Sequence, residues 1–307
     1  MALPDEFHEL ARKVNNWGRW GADDELGTLN LITPEVVRRA AALVRRGKVF
    51  SLALPLGPDG PQIGAIPGRL NPLRTMLMVN RPVFDPDGFC TSDDIVVMGL
   101  QAATHWDALA HASYQGRIYN GHPIGSLSEA GAARCGIDNA GRMVSRGILL
   151  DVARAKGVER LDVPYAITGE DLDAACAFGR VTAGPGDVVL VRTGMMQLLK
   201  AGDKQAYHGG TGPSFWSVEW FRDHDVAAVA TDNITFEYLD MEKHPDLLMV
   251  VHLLHLVEMG LTQGQNFDLE ALADDCADDG VYEFLFEGSA EPFVNGLGSP
   301  VNPIVVK

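Results

Sequence analysis

The second half of the chain alternates short apolar runs with segments of helical pattern, and this alternation restricts the possible folds more than any other feature. The apolar runs are rich in β-branched residues and bounded by turn formers: ILLDVA (148–153), DVVLVRTG (187–194), VAAVATDN (226–233) and VYEFLFEG (281–288). Such runs suit strands buried on both faces of a sheet, although periodicity alone does not separate them from buried helix. Helical patterns lie between them, at a capping box that begins with Thr168, at 213–224 and at 245–260. Strands that alternate with helices predict an α/β layer architecture.

The first half of the chain contains fewer strand signals and one long irregular segment. Thr33 and Pro34 have the pattern of a helix start and Gly47 that of its end, and the strand pattern KVFSLAL follows. Residues 54–93 are rich in Pro, Gly and Asp and predict a long loop, which would serve a site or an oligomer contact because plain connections are shorter. Without an internal repeat or a clear linker, the sequence predicts a single domain over residues 1–307 with an N-terminal helical extension.

Composition and charge exclude several classes of protein. The hydrophobic content is 46% and the charged content 21%, as in globular proteins with a buried core. A net charge of −16 argues against nucleic acid as a partner, because phosphates repel an acidic surface. The start of the chain lacks the pattern of a secretory signal, and no apolar run approaches the roughly 18 residues of a membrane span. Four scattered cysteines predict free thiols in a reducing compartment, so the sequence predicts a cytoplasmic protein without a membrane partner.

Chemistry-bearing side chains concentrate in QAATHWDALAHASYQGRIYNG, residues 101–121. The run DDIVVMGL (93–100) before it predicts a strand, and if extended geometry continues, His105 and Asp107 lie on the same face. An imidazole and a carboxylate that converge in this way suit a divalent metal such as Zn or Mn. His111 lies beyond the expected strand end, where it would act on a water molecule. The alternative is that these histidines are ordinary core or surface residues.

The segment THWDALAH (104–111) resembles the core of the HxGTHxDxPxH motif of the cyclase family of metal-dependent hydrolases. That family includes bacterial kynurenine formamidase and isatin hydrolase. The resemblance covers nearly the whole chain and is to the longer branch of the family, in GRWGADDELGTLNLITPE (18–35), GDVVLVRTG (186–194), DLEALADDCADDGVYEFLF (268–286) and GSPVNPIVVK (298–307). It implies a swivelling β/β/α fold, in which a mainly β core is flanked by helices, and a homodimer or homotetramer.

Carried over position by position, the resemblance implies that His105 and Asp107 bind metal and that His111 serves catalysis. The downstream histidine of the family falls on His252. Two family ligands are replaced in this chain: Gln101 stands at the first histidine of the motif, and Gln265 stands at the downstream glutamate. Since two adjacent cations need carboxylates to offset their repulsion, these replacements predict one divalent metal, Mn or Zn, instead of two.

The remaining site predictions follow from this assignment. Gln101 and His252 are weaker candidates for metal ligands. The amide of Gln265 would bind the substrate, because an amide offers both a donor and an acceptor. Three aromatic residues would line the pocket or else belong to the core: Trp106, Phe215 and Trp216.

The residues and the resemblance together predict a metal-dependent hydrolase. It would open an amide or ester bond, in a cyclic amide, a formamide or a lactone, of a small-molecule substrate, with His111 as the general base. Two alternatives remain: a lyase or cyclase that acts without hydrolysis, and a catalytically inactive homologue that binds a ligand. The sequence contains no GxSxG elbow, which argues against a serine hydrolase. It also contains neither a Rossmann glycine motif nor a P-loop, so neither of these nucleotide-binding signatures is present.

Overall fold

The computed structural model describes residues 3–85 and 87–307. Its strands are β1 (Val49–Ser51), β2 (Leu73–Pro82), β3 (Cys90–Val97), β4 (His105–Asp107), β5 (Leu127–Ser128), β6 (Gly131–Ala132), β7 (Val144–Asp151), β8 (Ala166–Ile167), β9 (Val188–Arg192), β10 (Gly212–Pro213), β11 (Ala228–Thr231), β12 (Thr262–Gln265), β13 (Glu283–Glu287), β14 (Gly298–Pro300) and β15 (Ile304–Val306). Its α-helices are α1 (Asp5–Val14), α2 (Pro34–Ala41), α3 (Val152–Ala155), α4 (Gly169–Gly179), α5 (Met196–Lys200), α6 (Lys204–Tyr207), α7 (Val218–Asp223), α8 (Val250–His252) and α9 (Glu270–Asp279). A π-helix spans Leu253–Met259, and 3₁₀ turns lie at Gly27–Leu31, Tyr119–Gly121, Ile124–Ser126, Ile137–Ala140, Phe215–Ser217 and Pro245–Leu247. None of the helices in the described ranges combines the length and the hydropathy that a membrane crossing requires.

Nine of the described strands form one mixed sheet, in the order β1-β15-β13-β7-β9-β11-β12-β4-β14. The central strands β7, β9, β11 and β12 are parallel, and the other neighbouring pairs are antiparallel. Strands β1 and β15, which are far apart in sequence, pair at one edge. The predicted α/β class, a β core flanked by helices, is confirmed. The single domain over residues 1–307 stays a prediction.

Alternate residues of the parallel strands pack into two hydrophobic clusters, one on each face of the sheet. Ile148 and Leu150 of β7 belong to the first cluster, whereas Leu149 between them belongs to the second. Buried residues of α1, α4 and α7 complete the first cluster, and those of α9 complete the second. Because both faces are covered, β9, β11 and the second half of β7 are mostly apolar, as the sequence predicted, whereas β12 has the sequence TQGQ.

Strand β4 has three residues and carries the predicted site. It lies between β12 and β14, where His105 pairs in register with Gln265 and Asp107 pairs with Gly298. His105 and Asp107 are two residues apart in extended backbone and therefore point to the same face. Trp106 points to the opposite face, into the second cluster.

The structure corrects several boundaries that the sequence predicted. The helix after Thr33 ends at Ala41 and does not reach Gly47, and the second half of the predicted loop 54–93 forms a hairpin of β2 and β3. Among the described strands this hairpin pairs only with itself, so it lacks the pattern of a strand buried in the core. The segment 245–260 is a 3₁₀ turn, α8 and the π-helix instead of one helix, because Met249 adopts a left-handed backbone conformation with φ of 58°.

A further correction concerns the approach to β4. The strand predicted at 93–100 ends at Val97, and a turn containing Gln101 separates it from β4. The amide of Ala102 donates to the Gly99 carbonyl at 3.0 Å within that turn. Gln101 therefore does not lie on one continuous strand with His105, and the same-face relation holds only for the pair inside β4.

Candidate active site

His105 is fully buried, and its ring is oriented by a backbone contact. Its Nδ1 lies 2.7 Å from the carbonyl oxygen of Ala103, and because a carbonyl only accepts, we assign the ring proton to Nδ1. The unprotonated Nε2 then faces Asp107 Oδ1 at 3.5 Å. A histidine held by its far nitrogen in this way is typical of metal sites, where the outer hydrogen bond sets the tautomer.

Asp107 is also fully buried, and its two oxygens have different surroundings. Its Oδ2 accepts a hydrogen bond of 2.7 Å from the Nε2 of Gln265. Among the described residues, neither its Oδ1 nor the Nε2 of His105 has a hydrogen-bond partner. Buried polar atoms in native proteins nearly always have one, so a missing partner here indicates an ion, a water molecule or a ligand atom.

Two further histidines approach the same carboxylate. The Nε2 of His111 lies 3.7 Å from Asp107 Oδ1, and the Nε2 of His252 lies 3.9 Å from Asp107 Oδ2. The side chain of His111 is 25% exposed, which connects the otherwise buried cluster with solvent. Three imidazoles thus converge on one carboxylate, and four of the predicted site residues lie together in one cluster: His105, Asp107, His111 and His252.

Glu237 orients His252 and is a residue that the sequence analysis missed. It is fully buried and accepts hydrogen bonds of 3.0 Å from the backbone amides of Val251 and His252 at the start of α8. It also contacts the Nδ1 of His252, which leaves the Nε2 of that ring facing Asp107. A single glutamate 15 positions upstream carries no motif, so no sequence signal marks it.

The electrostatic balance of the cluster favours an ionised Asp107 and an unprotonated His111. Burial by itself would raise the pKa of Asp107, but the interactions of its carboxylate with His111, His105 and His252 outweigh burial and hold this pKa below its ordinary value. Asp107 pulls the pKa of His111 upward, yet burial and the neighbouring charges of His252, His105 and Arg69 outweigh it and lower the pKa. A neutral imidazole open to solvent is able to accept a proton.

The two glutamines of the predicted site lie on opposite sides of β4. Gln265 touches Asp107 directly, as described above. The amide of Gln101 packs over Gly298, where an added Cβ would lie only 2.5 Å from its Nε2. Glycine at 298 therefore makes room for Gln101 beside the register partner of Asp107.

The predicted aromatic residues lie away from the open side of the cluster. Trp106 is fully buried, donates from its Nε1 to the Gly288 carbonyl at 2.7 Å and packs in the core. Phe215 and Trp216 line a separate surface cavity of about 550 Å³ with several glutamates. The structure does not bring these three residues together with His105 and Asp107, and their contact with a substrate stays a prediction.

A divalent metal fits the unsatisfied pair of atoms. For metal–ligand bonds of about 2.0–2.2 Å, two corners of a tetrahedral site are roughly 3.4 Å apart. The separation of His105 Nε2 and Asp107 Oδ1, 3.5 Å, is close to that edge. Within the described ranges, no group of three or more His, Cys, Asp or Glu side chains has the full arrangement of a metal site. The chain therefore presents two ligands, and other donors, such as Gln101, His252, water or substrate, would occupy the remaining positions around the metal.

Comparisons with known proteins place the chain in a family. Residues 50–238 match the family model described as "Putative cyclase". A crystal structure described as that of a novel cyclase is 37% identical, with 100% of both chains covered and a TM-score of 0.88. An isatin hydrolase bound to the product analogue thioisatinate is 16% identical, with 86% of this chain and 93% of that chain covered and a TM-score of 0.62. Isatin hydrolase A from Ralstonia solanacearum is 19% identical, with 89% and 97% covered and a TM-score of 0.60, and at such identity both hydrolases share the fold alone. No curated protein matched the chain.

Proposed function

This chain belongs to the cyclase family, and we propose that it is a metal-dependent hydrolase that opens an amide or ester bond of a small molecule. The observation that carries the proposal is the pair of buried, unsatisfied atoms, His105 Nε2 and Asp107 Oδ1, with His111 beside them. The similar fold of isatin hydrolases supports a cyclic amide as one substrate class, and formamides and lactones are the others.

His105 and Asp107 would hold one divalent metal, Mn or Zn, and Gln101 and His252 are weaker candidates for further ligands. Bound there, such a cation polarises a carbonyl group and makes water more acidic. His111 accepts a proton from the attacking water at its Nε2 and returns it to the leaving nitrogen or oxygen. Gln265 orients the carboxylate of Asp107 through its hydrogen bond and offers its amide oxygen to the substrate.

The test combines metal content with activity. Purified protein is expected to bind about one Mn or Zn per chain, measured by elemental analysis after metal addition, and to hydrolyse at least one member of a panel of lactams, formamides and lactones. Chelation should abolish this turnover, and re-addition of metal should restore it. His105→Ala and Asp107→Ala should each lose metal and turnover together, because each removes one of the two ligands.

His8→Ala, a change to a histidine of α1 outside the cluster, is the matched control and should keep metal and activity. Full metal occupancy in Asp107→Ala would contradict the ligand assignment. Turnover that survives chelation would favour the lyase or cyclase alternative, and tight ligand binding without any turnover would favour an inactive homologue.

We also propose that the chain forms a homodimer or homotetramer through the hairpin of β2 and β3. An isolated two-stranded hairpin is only marginally stable in water, and a large exposed apolar patch marks an interaction surface. Phe84 at the end of the hairpin is 87% exposed. Other exposed apolar residues of the hairpin are Leu73, Met76, Leu77, Val79, Val83, Phe89, Ile95, Val96 and Val97. A second copy of the chain would bury them.

A further inference from the structure

Arg69 lies in the segment between β1 and β2, and it packs against the turn that contains Gln101. Its side chain is half-buried. Its Cγ lies 3.4 Å from the position of an added Cβ at Gly99, so the stem of Arg69 packs against the turn that leads into β4. The amide of Gly99 donates in turn to the Leu70 carbonyl at 3.3 Å. These contacts place Arg69 beside the residues that carry the site.

The segment around Arg69 is held against that turn and the start of β4 by buried and part-buried hydrogen bonds. Gln62 donates from its Nε2 to the Ala102 carbonyl at 2.9 Å, and it exchanges two hydrogen bonds of 2.9 Å with Asn71. The amide of Leu54 donates to the hydroxyl of Thr104 at 2.8 Å. The backbone that carries Arg69 is thus held in place by contacts that do not involve its guanidinium.

The charge of Arg69 acts on the whole cluster. It acts to lower the pKa of His111, and it acts in the same direction on His252, where Glu237 and Asp107 outweigh it and raise the pKa. The charge of Asp107 raises the pKa of Arg69 in return, although burial outweighs this and lowers the pKa. Among the described residues, Arg69 makes no ion pair and no side-chain hydrogen bond. Arg192, the fully buried arginine of β9, shows the contrast, since it pairs with Asp151 at 2.9 Å and with Glu270 at 2.8 Å.

A partly buried guanidinium without a carboxylate partner loses hydration without compensation. Its planar fork of N–H donors matches a carboxylate, which it binds through two parallel hydrogen bonds. The net charge of −16 repels anions from the protein as a whole, so an anionic ligand would need a local cation at the site. Arg69 supplies such a cation, and its charge acts on Asp107 and His111.

We propose that Arg69 is a substrate-binding residue that recognises a carboxylate group, so that the natural substrate is a small anion with a carboxylate near the amide or ester bond that is opened. This inference rests on the proposed function for the reaction itself. The binding of the carboxylate does not require turnover, and it is testable by itself.

The experiment measures binding of benzoate and of its neutral analogue benzamide by isothermal titration calorimetry, on the protein as purified and after chelation. The measurement after chelation excludes the explanation that a bound metal, instead of Arg69, holds the carboxylate. Wild type should prefer benzoate in both arms. Arg69→Gln should weaken the affinity for benzoate by about ten- to a hundredfold, as expected for a lost charge-assisted hydrogen bond. Its affinity for benzamide should be unchanged. Arg69→Lys keeps the positive charge but lacks the planar set of N–H donors. Its affinity for benzoate should therefore lie between those of wild type and Arg69→Gln.

Arg38→Gln is the matched control, because Arg38 is exposed on α2, outside the hairpin, and pairs there with Glu35. It should bind both compounds as wild type does. The proposal is overturned if wild type shows no preference for benzoate over benzamide, or if Arg69→Gln and Arg69→Lys both bind benzoate with unchanged affinity. It is also overturned if Arg69→Gln loses affinity for benzamide as much as for benzoate. Benzoate binding without hydrolysis of any panel substrate would contradict the proposed function alone. Hydrolysis with unchanged benzoate binding in both variants would contradict the role of Arg69 alone.

Discussion

Asp107 presents two oxygens that are suited to different partners. Its Oδ2 is occupied by the neutral amide of Gln265, whereas its Oδ1 faces His105 and His111 and has no hydrogen-bond donor among the described residues. The hydrogen bond at Oδ2 holds the carboxylate in place, and Oδ1 is left free to bind a cation. The orientation of His105 by the Ala103 carbonyl has the same effect on the imidazole.

The role of His111 is tested by removing its imidazole. His111→Ala should keep its metal and lose roughly 10²- to 10⁴-fold in rate, because a positioned acid–base group contributes about that factor. Elemental analysis and steady-state kinetics on the same preparation check both expectations. Loss of metal in this variant, as expected for His105→Ala, would instead make His111 a ligand.

The two glutamines are tested by restoring the ligand types of the related motif. Gln101→His with Gln265→Glu should raise metal content toward about two per chain, because it adds an imidazole and a second carboxylate. Each single change should leave the stoichiometry unchanged. Gln265→Glu alone also replaces a donor to Asp107 by a like charge, so it should lower the stability of the metal-free protein. A double variant that still binds a single metal and keeps wild-type kinetics would show that the glutamines are not a converted ligand pair.

At the scale of secondary-structure elements, the site depends on where short elements begin and end. Strand β4 contains only His105–Asp107, and its neighbours β12 and β14 hold it in register. Helix α8 ends at His252, and the π-helix Leu253–Met259 begins at the next residue. Such π-helical turns are frequent at functional sites.

Glu237 is predicted to stabilise the start of α8 and to set the direction of His252. Glu237→Ala removes the acceptor of two buried backbone amides, so it should lower the free energy of unfolding by about 1–3 kcal/mol in urea denaturation. It should also lower the rate of the proposed hydrolysis, because the ring of His252 loses its fixed orientation. Glu219→Ala is the control, since Glu219 is exposed on α7 and its ion pair with Lys13 contributes little. Equal stability of the two variants would contradict the prediction.

At the scale of the whole molecule, the hairpin of β2 and β3 is the part that one chain does not bury. Assembly of copies through this hairpin should give a dimer or tetramer in analytical ultracentrifugation. Leu77→Asp places a charge at a residue that is 62% exposed and should shift the protein toward monomers. Val294→Asp is the control, because Val294 is also exposed but lies in the loop before β14. A monomeric wild type, or an unchanged distribution in Leu77→Asp, would contradict the proposed interface.

Local patterns in the sequence determined the strands of the core and one pair of site residues. The runs at 148–153, 187–194 and 226–233 each contain residues of a strand, because a strand covered on both faces is mostly apolar. The run at 281–288 also contains a strand, β13, but its residues alternate between buried and half-buried. His105 and Asp107 share a face because side chains alternate along a strand, and that relation needs only two positions. The capping box at Thr168 marks the start of α4 in the same local way.

Only the tertiary structure decided the partners of these residues, because the groups that meet are far apart in the chain. The Gln265 amide bonds to Asp107 across 158 positions, and nothing in either segment alone specifies that contact. Glu237 reaches His252, and Arg69 reaches the site, through loops whose composition predicts irregular backbone but not its path. Strand β2 and the first residues of β3 were wrongly predicted as part of the loop 54–93, since the two strands pair with each other and bury almost nothing in this chain. Burial in a common core leaves a periodic signal in the sequence, whereas a contact between two loops leaves none.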